Sequence, residues 1–133
     1  MKFTQEFLDK LTEAAKANPR LRMNYDLRNS EADQSQRILN AIEPGSVVSI
    51  HRHQKSSETI VCLRGRLVEE FYDEVERKCT ETIELSPNGP VVALNIPKGQ
   101  WHTARAVESG TITMEVKDGQ YEPISPEDIL CLG

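Results

Sequence analysis

Two hydrophobic periods divide the chain. At the amino end Phe7, Leu8, Leu11, Ala14 and Ala15 recur at helical spacing, with Thr4 placed to cap and Asn18-Pro19 placed to stop, so the pattern predicts a helix over 4–17. Its apolar stripe reads as packing surface, laid on the outside of the remaining fold or on a second subunit. Beyond it the period shortens to two. RMNYDL, QRILNAI, TIVCL, RLVEEFYDE, TETIEL, VVALNI and GTITMEV read as strands, the last ending at KDGQ. Between them the polar or Gly/Pro-rich segments NSEAD, QKSS, DEVERK, SPNGP and PKGQ read as turns. DEVERK is the simplest to place, because clustered charges cannot be buried unpaired and belong at a solvated hairpin tip. The pattern predicts an all-β, single-domain protein with a short N-terminal helix. A chain of 133 residues supports one core and is too short for two ordinary domains. The expected division is helix and connector over 1–20, β-barrel over 21–120, and a tail over 121–133 packed on the barrel, with Ser125-Pro126-Glu127-Asp128 able to start a helical turn.

The stretch GSVVSIHRHQKSSETIVCLRG, Gly45 to Gly65, carries the candidate chemistry. Val47 to Ile50 favour extended backbone, and residues two apart in a strand share a face roughly 7 Å apart, which aims His51 and His53 the same way. The polar run Gln54 to Ser57 then predicts a turn, and Glu58 opens the returning strand of a hairpin. Two imidazoles and one carboxylate suit borderline divalent metals rather than calcium. An isolated H-x-H pair in a surface strand is more often solvated histidine. Farther along, however, Pro97 and Gly99 form a turn that delivers His102, the only remaining histidine, to a strand entrance. Cys62, four after Glu58, shares the inward face as a small buried hydrophobe, and Trp101 points opposite to His102.

These spacings resemble the cupin superfamily. Gly45, five residues, His51-x-His53, four residues, Glu58, six residues and Gly65 matches its first motif, and Pro97-x-Gly99-x-x-His102 matches the core of its second. The chain departs from the second motif where Gly89 stands two residues farther from Pro97 than usual and where Ala106 replaces an asparagine. The resemblance implies a jelly-roll β-barrel in which His51, His53, Glu58 and His102 ligate one divalent transition metal ion: iron, zinc, manganese or nickel. More narrowly, RMNYDLRN through DQSQRILNAIEPGSVVSIHRH to the end of the barrel is similar to the WbuC family of cupin-fold metalloproteins. Members of that family are associated with bacterial surface polysaccharide (O-antigen) biosynthesis.

Upstream of the motif, Asn24 with Gln36 or Arg37 could hold a hydroxylated or anionic substrate if they reach the open end of the barrel, although adjacent Gln36 and Arg37 cannot both point inward from a regular strand. The alternative is solvated charge on an edge strand. A net charge of -5 and a pI near 5.2 argue against nucleic acid or an anionic membrane as partner, and leave a sugar or organic acid. The amino terminus lacks a signal-peptide pattern and no stretch is long and apolar enough to span a membrane, so the expected location is cytoplasmic. Cys62, Cys79 and Cys131 have neither disulfide nor zinc-knuckle spacing. The resemblance, with the amphipathic helix, implies a homodimer. Two function classes follow. One is a metal-dependent isomerase, epimerase or dioxygenase acting on a sugar or nucleotide-sugar; the other is a non-catalytic module that binds or senses a small molecule.

Overall fold

In the computed structural model, which describes residues 1–132, the first helix forms where the periodicity places it: α1 spans Gln5–Ala17. Thr4 caps it, its Oγ1 accepting the Phe7 N–H at 3.1 Å, so one otherwise orphaned donor is satisfied. Ten strands follow: β1 (Arg22–Asp26), β2 (Ser35–Ile42), β3 (Ile50–His51), β4 (Glu58–Arg64), β5 (Leu67–Tyr72), β6 (Cys79–Leu85), β7 (Ala93–Ile96), β8 (Trp101–Ala106), β9 (Thr111–Asp118) and β10 (Ile129–Leu130). They pair antiparallel in two five-stranded sheets, ordered β1-β2-β9-β4-β7 and β10-β3-β8-β5-β6. The chain is thus an all-β jelly-roll with an N-terminal helix, its two sheets facing each other rather than joined by continuous pairing.

Alternation sorts the side chains. From the first sheet, Ile42, Ile60, Cys62 and Ile96 face inward and meet Leu67, Leu85 and Ala106 from the second, making the core between the sheets. The opposite face of the first sheet presents Leu39, Ala41 and Ile112, and α1 covers it with Leu8, Leu11 and Ala15. The helix stripe is therefore spent on the chain's own outer face. Burying two leucines there contributes roughly 3–6 kcal/mol before entropy is charged against it.

The motif glycines have local reasons. Gly65 has φ +73, and a Cβ there would lie 2.7 Å from the Thr111 Cα, so only glycine lets the β4–β5 corner approach β9. Gly99, at φ +80, turns its N–H onto the His53 carbonyl at 2.9 Å. That bond ties the two motif segments together.

Three expectations need correction. The segment around His51 and Glu58 is no hairpin: β3 pairs with β8 and β10 in the second sheet, whereas β4 pairs with β7 and β9 in the first. The chain changes sheets between them. The extended run before His51 enters the ladder only at Ile50, and Val47 is 83% exposed, its backbone passing outside the sheet. VVALNI is likewise shorter as a strand, since β7 begins at Ala93 and Val92 is exposed. The tail wraps the fold: Pro126–Asp128 makes a single 3-10 turn, and β10 then pairs with β3.

Candidate metal centre

The crossing between sheets is what assembles the site. His51 lies on β3 directly opposite His102 on β8, so both imidazoles leave one face of the second sheet. His53 follows two residues after His51, beyond the strand end, held by the Gly99 bond to its carbonyl. Glu58 enters from the first sheet at the start of β4. One ring nitrogen each from His51, His53 and His102 lies within 4.8 Å of the others, a group able to hold a metal ion. Glu58 Oε2 stands 3.3 Å from His53 Nε2 and 3.7 Å from His102 Nε2.

The ring orientations are fixed from behind. His51 Nδ1 lies 2.7 Å from the Ser49 carbonyl and His102 Nδ1 lies 2.9 Å from the Gln100 carbonyl. A carbonyl only accepts, so each Nδ1 carries the proton and each Nε2 presents a lone pair. Glu58 is 5% exposed, and its Oε2 makes no hydrogen bond despite the two imidazoles beside it. A buried acceptor without a donor is costly. Three imidazole nitrogens and this oxygen fit a borderline divalent ion in number and chemistry, and His51 and His102 fit it in tautomer as well.

Electrostatics agree with that donor set. Burial, reinforced by the nearby His102, lowers His51 to about 4, which keeps its ring neutral at neutral pH. Burial raises the Glu58 carboxyl, and the positive charge of Lys117, its partner across the strand pair, works the other way and favours the carboxylate. Cys62 is buried, its Sγ 3.2 Å from the Arg64 carbonyl. Burial pushes that thiol up, which leaves it as core rather than nucleophile. Trp101 faces away from the imidazoles, buried under the Arg52 guanidinium at 4.6 Å from its ring centre.

The three residues proposed for substrate separate in space. Gln36 lines a cleft of about 690 Å³ that reaches His53, its Nε2 donating to the Gly119 carbonyl at 2.9 Å. Arg37 takes the opposite face, bonded to the Leu27 carbonyl and Asp33. Asn24 is exposed on edge strand β1, opposite Asn40. Three inward charges escaped the sequence reading. Glu69 is 1% exposed with Oε2 unpartnered, and burial, then Glu58 and Glu115, drive its carboxyl well up. Glu115, across from Ile60, is raised to about 7 by burial and by Glu58. Lys117 is the direct partner of Glu58 and lines the same cleft as His53. Alternation was the available signal: Glu69 falls between inward Leu67 and Phe71, and Glu115 and Lys117 continue the inward row of Thr111 and Thr113.

The architecture recurs in solved structures. KdgF from Halomonas sp. aligns with a TM-score of 0.61 at 16% identity over 78% of this chain and 84% of its own. Oxalate oxidase in complex with the substrate analogue glycolate aligns at 0.65 and 17% identity over 83% of this chain and 57% of its own. CapF from Staphylococcus aureus, a capsular polysaccharide assembling protein, aligns at 0.59 and 21% identity over 75% of this chain and 29% of its own. Such identities speak to the fold alone, and the fold is that of the cupins. The family described as a domain of unknown function (DUF6016) matches residues 3–85, and the chain belongs to it. No curated protein matches the sequence.

Proposed function

We propose that the protein is a divalent-metal cupin, with His51, His53, Glu58 and His102 as ligands, acting on a sugar or nucleotide-sugar. The observation that carries the metal reading is the convergence of lone-pair-bearing imidazole nitrogens on the unpartnered buried Glu58 Oε2. A bound ion there supplies Lewis-acid polarisation of a substrate oxygen, or a seat for oxygen chemistry if it is iron. The chain's part is to hold His51 and His102 in the Nδ1–H tautomer through Ser49 and Gln100. Lys117 favours the charged form of Glu58, and the cleft beside His53 admits substrate.

The sugar assignment draws support from the WbuC-like sequence and from the likeness in fold to CapF, a capsular polysaccharide assembling protein. Both support bacterial surface polysaccharide synthesis as the setting; a cytoplasmic homodimer rests on the sequence resemblance alone, since the helix stripe is taken up by the chain's own sheet. The test is incubation of metal-loaded protein with nucleotide-linked sugars under air and under nitrogen, followed by product analysis. Conversion in both atmospheres identifies an isomerase or epimerase, and conversion under air alone an oxygenase. Binding without conversion in either turns the reading into a non-catalytic module.

A further inference from the structure

We infer that Lys117 is the anchor for an anionic group of the substrate, so that the cleft takes a carboxylate- or phosphate-bearing small molecule rather than a neutral one. The inference rests on the metal-site reading above and narrows its substrate class. Lys117 reaches the site by register. It pairs directly with Glu58 across β4 and β9, shares that residue's inward face, and lines the cleft that opens on His53.

The other charges of the cleft are already committed. Arg52 is held by Asp128 at 2.9 Å and faces Glu74 at 3.8 Å. Lys55 pairs with Glu122 at 3.2 Å. Of the cleft's carboxylates, Asp128 and Glu122 hold those two cations, Asp118 accepts the Ser57 N–H at 2.8 Å, and Glu127 accepts the Ser125 hydroxyl at 3.4 Å. Among the described residues, the Lys117 ammonium makes no hydrogen bond and no ion pair with anything.

By register the opposite charge across the strand pair is the Glu58 carboxylate. A metal ion would claim that charge. A divalent ion held by three neutral imidazoles and one carboxylate keeps a net positive charge, and Lys117 beside it adds a second in a partly enclosed, low-dielectric setting. A ligand that brings an anion satisfies both positive groups, and the cleft volume of about 690 Å³ lies in the usual range for a small-molecule site.

The experiment uses full-length protein loaded with zinc, and three probes that share one ring: glucose, glucuronate and glucose 1-phosphate. Zinc content is measured first on wild type, Lys117→Gln and Lys117→Arg, so failure of the metal site registers separately from failure of the anchor. Equal zinc in all three is expected, with Lys10→Gln on the helix as a surface-charge control. Calorimetric titration should then show that at least one anionic probe binds wild type and that Lys117→Gln weakens it roughly tenfold or more. Lys117→Arg should retain most of the affinity, and the response of glucose should not change. Which anion binds distinguishes a carboxylate from a phosphate substrate. Equal affinity of wild type and Lys117→Gln for the anions overturns the inference, as does glucose binding as tightly as its charged counterparts, or no binding of either anion.

Discussion

His51 and His102 are cross-strand partners with ring centres 4.3 Å apart, and each is pinned through Nδ1 to the carbonyl two residues before it. The pairing makes the imidazole pair a property of the ladder between β3 and β8 rather than of a loop. Replacing either ring therefore removes a proposed ligand without removing the strand. His51→Ala and His102→Ala are each expected to lose the roughly one equivalent of divalent metal that purified wild type carries, by elemental analysis. Metal added to stripped wild type should raise the unfolding midpoint, by an amount corresponding to about 2.7 kcal/mol at a hundredfold excess over the dissociation constant. Neither variant should show that rise. Full metal occupancy in both would remove the site assignment.

Stripping the metal should also expose opposing pH dependences. His51 is lowered from 6.5 to about 4. Below 6.5 the unfolded chain binds a proton that the folded chain refuses, so this contribution to stability is present above 6.5 and is lost as pH falls toward 4. Fully developed, it is on the order of 3 kcal/mol. Glu115 runs the other way: raised from 4.5 to about 7, its contribution is complete below 4.5 and lost as pH rises through 7. Glu69, raised by burial first, acts in the same direction. Urea unfolding of chelator-treated protein should accordingly show stability falling as pH rises from 6.5 to 8, with Glu69→Gln and Glu115→Gln each flattening the decline. A decline unchanged in both variants would deny these carboxyls their part.

How much was legible beforehand follows from what each signal is made of. The helix and the strand-like runs follow from local spacing, since a cap or a hydrophobic period is written within a few residues. The false hairpin arose because a polar turn between two β-type runs looks the same whether the chain returns to its own sheet or crosses to the facing one. Only long-range pairing decides that. Lys117 and Glu69 were hidden for a related reason. A charged residue in an alternating strand reads as the wet face, and its inward placement depends on which neighbours lie across the sheet.

Removing helix packing should separate stability from the site. Leu11 is 7% exposed against the outer face of the first sheet, on the side away from the imidazoles. Leu11→Ala should destabilise the protein by about 2–5 kcal/mol, and Thr4→Ala by roughly 1 kcal/mol through loss of the cap. Thermal or urea unfolding reads both effects. Metal content measured at low temperature should stay at the wild-type level. Loss of metal from the folded Leu11→Ala protein would show that the helix shapes the site as well as supporting the sheet.

The tail that walls the cleft is fastened at Asp128. Its Oδ1 accepts from Arg52 Nε at 2.9 Å and from Gln54 Nε2 at 2.6 Å, and its carbonyl accepts the Arg52 N–H at 3.1 Å. Arg52 and Gln54 flank His53, so the tail is tied to the same short segment that presents a proposed ligand. Asp128→Ala removes the side-chain bonds but leaves the backbone one and the β10–β3 pairing. The expected result is local loosening: amide hydrogen exchange over 119–128 should quicken roughly tenfold, while exchange in β4 and β9 stays as in wild type. Metal content should be unchanged, because Gly99 still holds the His53 carbonyl from the other side. Unchanged exchange in the tail would mean that the strand pairing at Ile129 and Leu130 alone secures it.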